Sequence, residues 1–175
     1  FVEQAIAASQ LSGSSIIAAI KQAQVRTVVA LPDITTSAGL LWPLSRDEDL
    51  RLIRVCKEDE GITICSALSY CDHRAIMSMQ QTGLFDSLNA VRGIAVEYKH
   101  PVCMLVGLLG KEPGVPTEQS KKYSVRVVEP VLRAMEVDHL VIETDADIPK
   151  ITAAINRAYE VSRPVVILFG TRVRQ

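Results

Sequence analysis

The chain has 175 residues, 48% of them hydrophobic and 22% charged, the composition of one folded domain rather than of a disordered segment. Its formal net charge is -1 with no basic stripe, so a nucleic-acid partner has no electrostatic support. No apolar run approaches the ~20 residues that cross a bilayer, and FVEQAIAASQ lacks the basic and apolar regions of a signal peptide. A cytoplasmic location with no membrane partner is the expectation. Phe1 is not an initiator residue, as expected of a trimmed chain with residues upstream.

In chain order, SSIIAAIKQAQ reads as an opening helix capped by Ser12 or Ser14, followed by a first strand, RTVVALP, and an apolar segment, AGLLWPL. DLRLIRVC is a second strand, EDEGITICSALSYC a helix and AIMSMQQ a third strand, leading into a helix that starts near Leu84. PVCMLVGLL is a fourth strand. The Gly/Pro-rich stretch from 110 to about 124 is expected to be a lid or contact loop. The helix VRVVEPVLRAME, the strand HLVIETD, the helix DIPKITAAINRAYEVS and the strand PVVILFG complete the pattern. Such apolar strands, alternating with amphipathic helices, predict an α/β fold. The expected form is one open parallel sheet of about six strands with helices on both faces, a single domain over residues 1–175.

Cys56 and Cys103 fall in expected strands and Cys65 and Cys71 on one helix; with no C-x-x-C pair, reduced and mostly buried thiols are expected, with no metal site. Ligands of open parallel sheets bind at the carboxyl ends of the strands. His73, His100 and His139 precede or open strands, which puts them on the opposite edge. The active edge offers PDITT, KEDEG, QQTGLF, GLLGKEPG and ETD; none is a dinucleotide or phosphate-binding glycine loop, and there is no G-x-S-x-G elbow. The carboxylates of KEDEG have an ordinary reading as acids favoured at a helix N-terminus, and QQTG an ordinary reading as a loop capped at Thr82.

KEDEGITICSALSYC followed by IMSMQQTGLFDSLNAVRGIAVEYKHPVCMLVGLLGKEPG nevertheless resembles the pyrimidine-binding (Pyr) domain of thiamine-diphosphate-dependent decarboxylases. The resemblance is greatest to the group of sulfopyruvate decarboxylase alpha subunits and phosphonopyruvate decarboxylases. It covers residues 15 to 170 and is strong from 57 to 114. That family reads E-x-E-A-x-G-I-A-A-G, then L-M-Q-N-S-G-L-G-N-S, then W-R-G-E-P-G. The resemblance implies that Glu58 is the catalytic acid that hydrogen-bonds N1′ of the cofactor's aminopyrimidine and promotes its imino tautomer, which deprotonates the thiazolium. It implies that Gln80, Gln81, Thr82, Gly83 and Leu84 line the pyrimidine, and it leaves Asp59 and Glu60 as first-turn helix acids.

The G-D-G…N segment that carries Mg²⁺ and the diphosphate in this superfamily is absent, since none of the nine glycines is followed by Asp. The resemblance therefore implies an alpha subunit, with the diphosphate-binding (PP) domain on a beta subunit and an α2β2 or larger hetero-oligomer. The family's W-R-G is Leu108-Leu109-Gly110 here, with Lys111 following. A lysine does not replace arginine's planar fork. Fewer cations on this edge, with Leu108, Leu109, Phe85 and Trp42 nearby, suggest a 2-oxo acid more apolar than sulfopyruvate. Asp33 either touches substrate or caps the next segment. Carbon–carbon lyase or ligase chemistry on the same cofactor, and a non-catalytic Pyr-like scaffold, remain the alternatives.

Overall fold

The computed structural model describes residues 10–175; the remainder of the FVEQAIAASQ segment lies outside the described residues. Strand residues alternate between two cores. In β2 (Thr27–Ala30), Val28 and Ala30 face one core and Val29 the other. In β4 (Ala75–Gln80), Ile76 faces the first core and Met77 and Met79 the second. β5 (Cys103–Gly107) and β7 (Val165–Phe169) repeat the pattern with every residue buried. Strands with period two and no polar face require cover on both sides. β3 (Arg51–Arg54) and β6 (Asp138–Ile142) carry exposed ends, Arg51, Arg54 and Asp138, and they are the two edges. Charged side chains there discourage edge-to-edge pairing with other chains.

The six strands are parallel in the order β3-β2-β4-β5-β7-β6, so the α/β sheet read from the sequence is present. One face is covered by α1 (Gly13–Gln22), by a π-type turn (Ser37–Leu41) running into α2 (Trp42–Leu44), and by the last helix, α8 (Pro149–Val161). The other is covered by α3 (Glu58–Tyr70), α4 (Gln81–Asp86), α5 (Leu88–Ala90) with the π-type turn Val91–Val96, α6 (Tyr123–Arg126) and α7 (Val128–Ala134). Moves toward the β3 edge use the first face and moves toward the β6 edge the second, as crossovers of a single hand require. Ser12 is the cap of α1, its hydroxyl accepting from the Ser15 amide at 3.3 Å.

Three features differ from expectation. β1 (Gln10–Ser12) pairs with β8 (Arg172–Arg174) in a separate two-stranded parallel sheet; three-residue runs are too short to show a period in sequence. The helix after β4 begins at Gln81 rather than near Leu84, so all of QQTG but Gln80, which ends β4, is helical, and Thr82 is inside the first turn, not its cap. That helix ends where the Ser87 hydroxyl donates to the Gly83 carbonyl at 2.7 Å, a local side-chain bond that competes with the helical ladder. Cys65 and Cys103 are buried free thiols, but Cys56 and Cys71 are exposed, because β3 stops at Arg54 and α3 at Tyr70. Burial pushes the Cys103 thiol up to about 12 and raises that of Cys65 further, so neither is a thiolate at neutral pH.

Candidate functional site

The chain runs from β2 outward to β3, then returns past β2 to β4. The connections leaving β2 and β4 therefore depart in opposite directions, and a crevice opens between their carboxyl ends, the usual ligand position of such sheets. A cleft of about 650 Å³ occupies it, lined by Leu31, Pro32, Asp33, Glu58, Gln80, Thr82, Gly83, Phe85 and Asp86. A larger groove of about 870 Å³ lies beside α3 and α5 and shares Asp86 with this cleft; its Lys57 is already near Asp59 and Asp86, at 3.7 and 3.9 Å. His73, His100 and His139 all stand at the amino ends of β4, β5 and β6, away from the cleft.

The three acids of KEDEG have separate fates. Glu60 reaches back to accept from the Cys56 and Lys57 amides at 3.1 and 3.4 Å, and Asp59 accepts from the Glu60 amide at 2.9 Å. Both serve the unpaired N–H groups and positive end of α3, as read from the sequence. Glu58, the first residue of α3, turns away from the helix end. Its side chain lies across Gly83 in α4, where a Cβ would stand 2.1 Å from Oε1. No hydrogen bond or ion pair joins the Glu58 carboxylate to another described residue, and it is only half-buried at the cleft wall.

Of the five residues assigned to the pyrimidine, Gln80, Thr82 and Gly83 line the cleft with Glu58, and the Thr82 hydroxyl donates to Gln80 Oε1 at 3.2 Å. Gln81 and Leu84 do not reach it. Leu84 is fully buried in the second core. The buried Gln81 amide pairs with both backbone groups of one residue: Nε2 donates to the Leu109 carbonyl at 3.0 Å, and Oε1 accepts from the Leu109 amide at 2.9 Å. It imitates a strand partner and ties α4 to the turn after β5.

The four substrate candidates separate in the same way. Asp33 is at the cleft, but its carboxylate accepts from the amides of Thr35 and Thr36 at 2.6 and 3.0 Å and from the Thr36 hydroxyl, which is the capping alternative. Leu108 packs into the second core, and the Leu109 backbone is held by Gln81. The Lys111 side chain is 1% exposed; its ammonium donates to the Glu112 and Val115 carbonyls at 3.1 and 2.6 Å and ion-pairs with Glu143. An ammonium has three hydrogens, so this one has none left for a ligand. Of the apolar residues expected around the substrate, Phe85 lines the cleft, whereas Trp42 is 46% exposed elsewhere.

The stretch from 110 to 124 is pinned rather than free. Glu112 accepts from the Ser120 hydroxyl and the Lys121 amide at 2.6 and 3.0 Å, and Arg126 donates to the Ser120 carbonyl at 2.8 Å. ETD at the end of β6 is likewise committed, Glu143 to Lys111 and Asp145 to Arg174 at 2.9 Å. Pro32 and Asp86 line the cleft without having been singled out in the sequence. For Pro32 the signal was its place directly after a strand on the active edge.

No protein-family model matches the chain. Two curated relatives do. The sulfopyruvate decarboxylase subunit alpha of Methanococcus maripaludis is 27% identical over 99 residues, 57% of this chain and 59% of that protein. The match thus spans less than two thirds of that relative. The subunit of the same name from Methanocaldococcus jannaschii is 22% identical over 153 residues, 86% of this chain and 88% of that protein. The chain resembles sulfopyruvate decarboxylase alpha subunits. Among solved structures, 2-oxoglutarate:ferredoxin oxidoreductase from Magnetococcus marinus superposes with a TM-score of 0.67 at 16% identity, over 92% of this chain and 29% of that one. Benzoylformate decarboxylase from Polynucleobacter necessarius gives 0.67 and 16% over 91% of this chain and 30% of that one. At that identity the likeness is one of fold, and this chain spans under a third of either protein.

Two measurements check the framework along the carboxyl edge of the sheet. Gln81→Leu leaves both Leu109 backbone groups without their partner, which costs about 1–3 kcal/mol; the melting temperature should fall and hydrogen exchange at the Leu109 amide should accelerate. Asp147 is held down to about 2, first by the Lys150 ammonium and then by the Thr144 hydroxyl and the Thr144 and Glu143 amides. A depressed carboxyl stabilises the fold above its ordinary value of 3.8 and loses that contribution as pH falls toward 2. Asp147→Asn should therefore melt lower than the unaltered chain at neutral pH, with the gap closing between about pH 4 and pH 2.

Proposed function

We propose that this chain supplies the aminopyrimidine-binding half of a thiamine-diphosphate-dependent 2-oxo acid decarboxylase, with Glu58 as the acid that shares a proton with ring atom N1′. The observation that carries this reading is the Glu58 carboxylate itself. It stands at the topological switch point, beside Gln80, Thr82 and Gly83, with no partner among the described residues. An acid needed only for the helix end would join Asp59 and Glu60 there. Turned into the cleft with its acceptor oxygens unengaged, it suits a ring nitrogen that offers a proton.

The donor set fits one end of the cofactor. Glu58 would meet the pyrimidine, Gln80 and Thr82 would supply polar contacts, and Phe85, Leu31 and Pro32 add apolar surface to the wall. Bound thiamine diphosphate would supply the electron sink that loss of carbon dioxide from a 2-oxo acid requires. For the diphosphate with Mg²⁺ the residues do not suffice. No G-D-G occurs in the sequence, and no group of three or more His, Cys, Asp or Glu among the described residues is placed to hold a cation. A beta subunit with the PP domain and its G-D-G…N segment completes the site in an α2β2 or larger assembly. Support for this comes from the alpha-subunit names of the two relatives and from the small share of the solved structures that the chain spans.

No lysine or arginine is among the cleft-lining residues, and Lys111 is consumed internally. Its charged lining residues, Asp33, Glu58 and Asp86, are all acids, though Asp33 is hydrogen-bonded within its turn and Lys57 stands 3.9 Å from Asp86. Both features favour a 2-oxo acid whose tail is less anionic than that of sulfopyruvate.

Co-expressed with its beta subunit, Glu58→Gln should fold and assemble as the unaltered chain does, yet lose decarboxylation by at least ~100-fold, the scale of a general acid–base contribution; full activity would overturn the role. In the same complex, steady-state turnover of aryl or alkyl 2-oxo acids should exceed that of sulfopyruvate. The reverse order would remove the substrate reading and leave the Glu58 assignment standing.

A further inference from the structure

We propose that Gly83 is a positioning residue for Glu58: the space left by its missing side chain is the seat of the acid, whose conformation is set by shape rather than by hydrogen bonds. The functional consequence rests on the reading of Glu58 as the cofactor-facing acid; the contact itself does not.

Three observations carry this. Gly83 lies inside α4, and its backbone is not in the left-handed region that favours glycine, unlike Gly110 and Gly114. Glycine is disfavoured in a helix relative to alanine, so the backbone gives no reason for it. Second, a Cβ built on Gly83 would stand 2.1 Å from Glu58 Oε1 and 2.3 Å from both Cδ and Cγ. Gly93, also in a helical turn, has nothing within 4 Å of the same position; Gly13, Gly39 and Gly61 are as crowded, but by backbone atoms or the buried Met77 side chain, whereas at Gly83 the neighbour is a cleft-lining acid. Third, α4 is not free to back away. Gln81 holds it to Leu109, and Leu84 is buried in the second core.

An added methyl group is therefore accommodated by the flexible partner, the Glu58 side chain, and not by the backbone. Gly83→Ala keeps the fold, favours the helix, and moves the acid off its place. A residue important only for packing would behave in the opposite way, losing stability in step with activity.

Thermal melts of the unaltered chain, Gly83→Ala, Glu58→Ala and the double variant form a cycle that reads the contact without cofactor. In the Glu58→Ala background, Gly83→Ala should raise the melting temperature; with Glu58 present that gain should shrink or reverse. The ¹³C carboxyl resonance of Glu58, assigned through Glu58→Gln, should move in Gly83→Ala. Equal temperature shifts in both backgrounds, or an unmoved resonance, would overturn the proposal. If Gly83→Ala fails to fold alone, folding in the Glu58→Ala background supports the contact, and failure in both backgrounds overturns it. In the assembled complex, displacement of the acid should lower turnover by about 100-fold, the effect of a roughly 1 Å misplacement of a catalytic group. Full activity of Glu58→Gln would fell the functional reading while the melting cycle still decides Gly83; an inactive Glu58→Gln with no coupling in the cycle would fell the Gly83 assignment alone.

Discussion

The single hand of strand–helix–strand crossovers is the constraint on which the rest of this structure depends. Because β3 lies outside β2 and β4 lies on its other side, the chain must cross from one face of the sheet to the other between them. The α2 segment fills the first face and α3 the second, and the ends of β2 and β4 are left uncovered. α3 then starts at the carboxyl edge of β3 and delivers Glu58 to the crevice, while α4 starts at the end of β4 and delivers Gly83 to the same place. Two residues 25 positions apart in the chain (58 and 83) meet because topology brings two helix starts together.

Around that meeting point most polar groups are internally satisfied. Gln81 is bonded to Leu109, Asp33 to its own turn, Lys111 to Glu143 and two carbonyls, and Glu112 to Ser120 and Lys121. These bonds make the turns beside the cleft rigid, since a buried polar group separated from its partner carries the full cost of its desolvation. They also throw the exception into relief. Glu58 is the acid of its cluster whose carboxylate has no partner among the described residues, and it is the one aimed into the cleft. A rigid frame with one uncommitted acid is the arrangement expected where a ligand completes the hydrogen bonding.

On the proposed function, the acids at the cleft wall bear on substrate choice. No lysine or arginine lines the cleft beside Asp33 and Asp86, although the Lys57 ammonium stands 3.9 Å from Asp86. Like charges repel, so on the proposed function a preference for an anionic tail would need cations from outside this cleft lining.

The sequence by itself determined the alternation of strands and helices, because period-two and period-3.6 burial leave distinct apolar patterns in short windows. It also determined that Asp59 and Glu60 serve a helix end, since capping is local chemistry between neighbours. The pairing of Glu58 with QQTG came only from the resemblance to the Pyr domain of thiamine-diphosphate-dependent decarboxylases, since no local pattern joins the two stretches. What the sequence did not reveal was which polar side chains are already spent. Gln81 and Lys111 carry the residue types of a binding site, yet their partners lie 28 and 32 positions away, and no local pattern marks such pairs. The short sheet of β1 and β8 escaped notice on the same ground. Tertiary packing alone decided that Gln81 and Lys111 hold the frame, that Thr82 belongs to a helix, and that the space above Gly83 belongs to Glu58, because each of these is a distance between segments and not a property of either one.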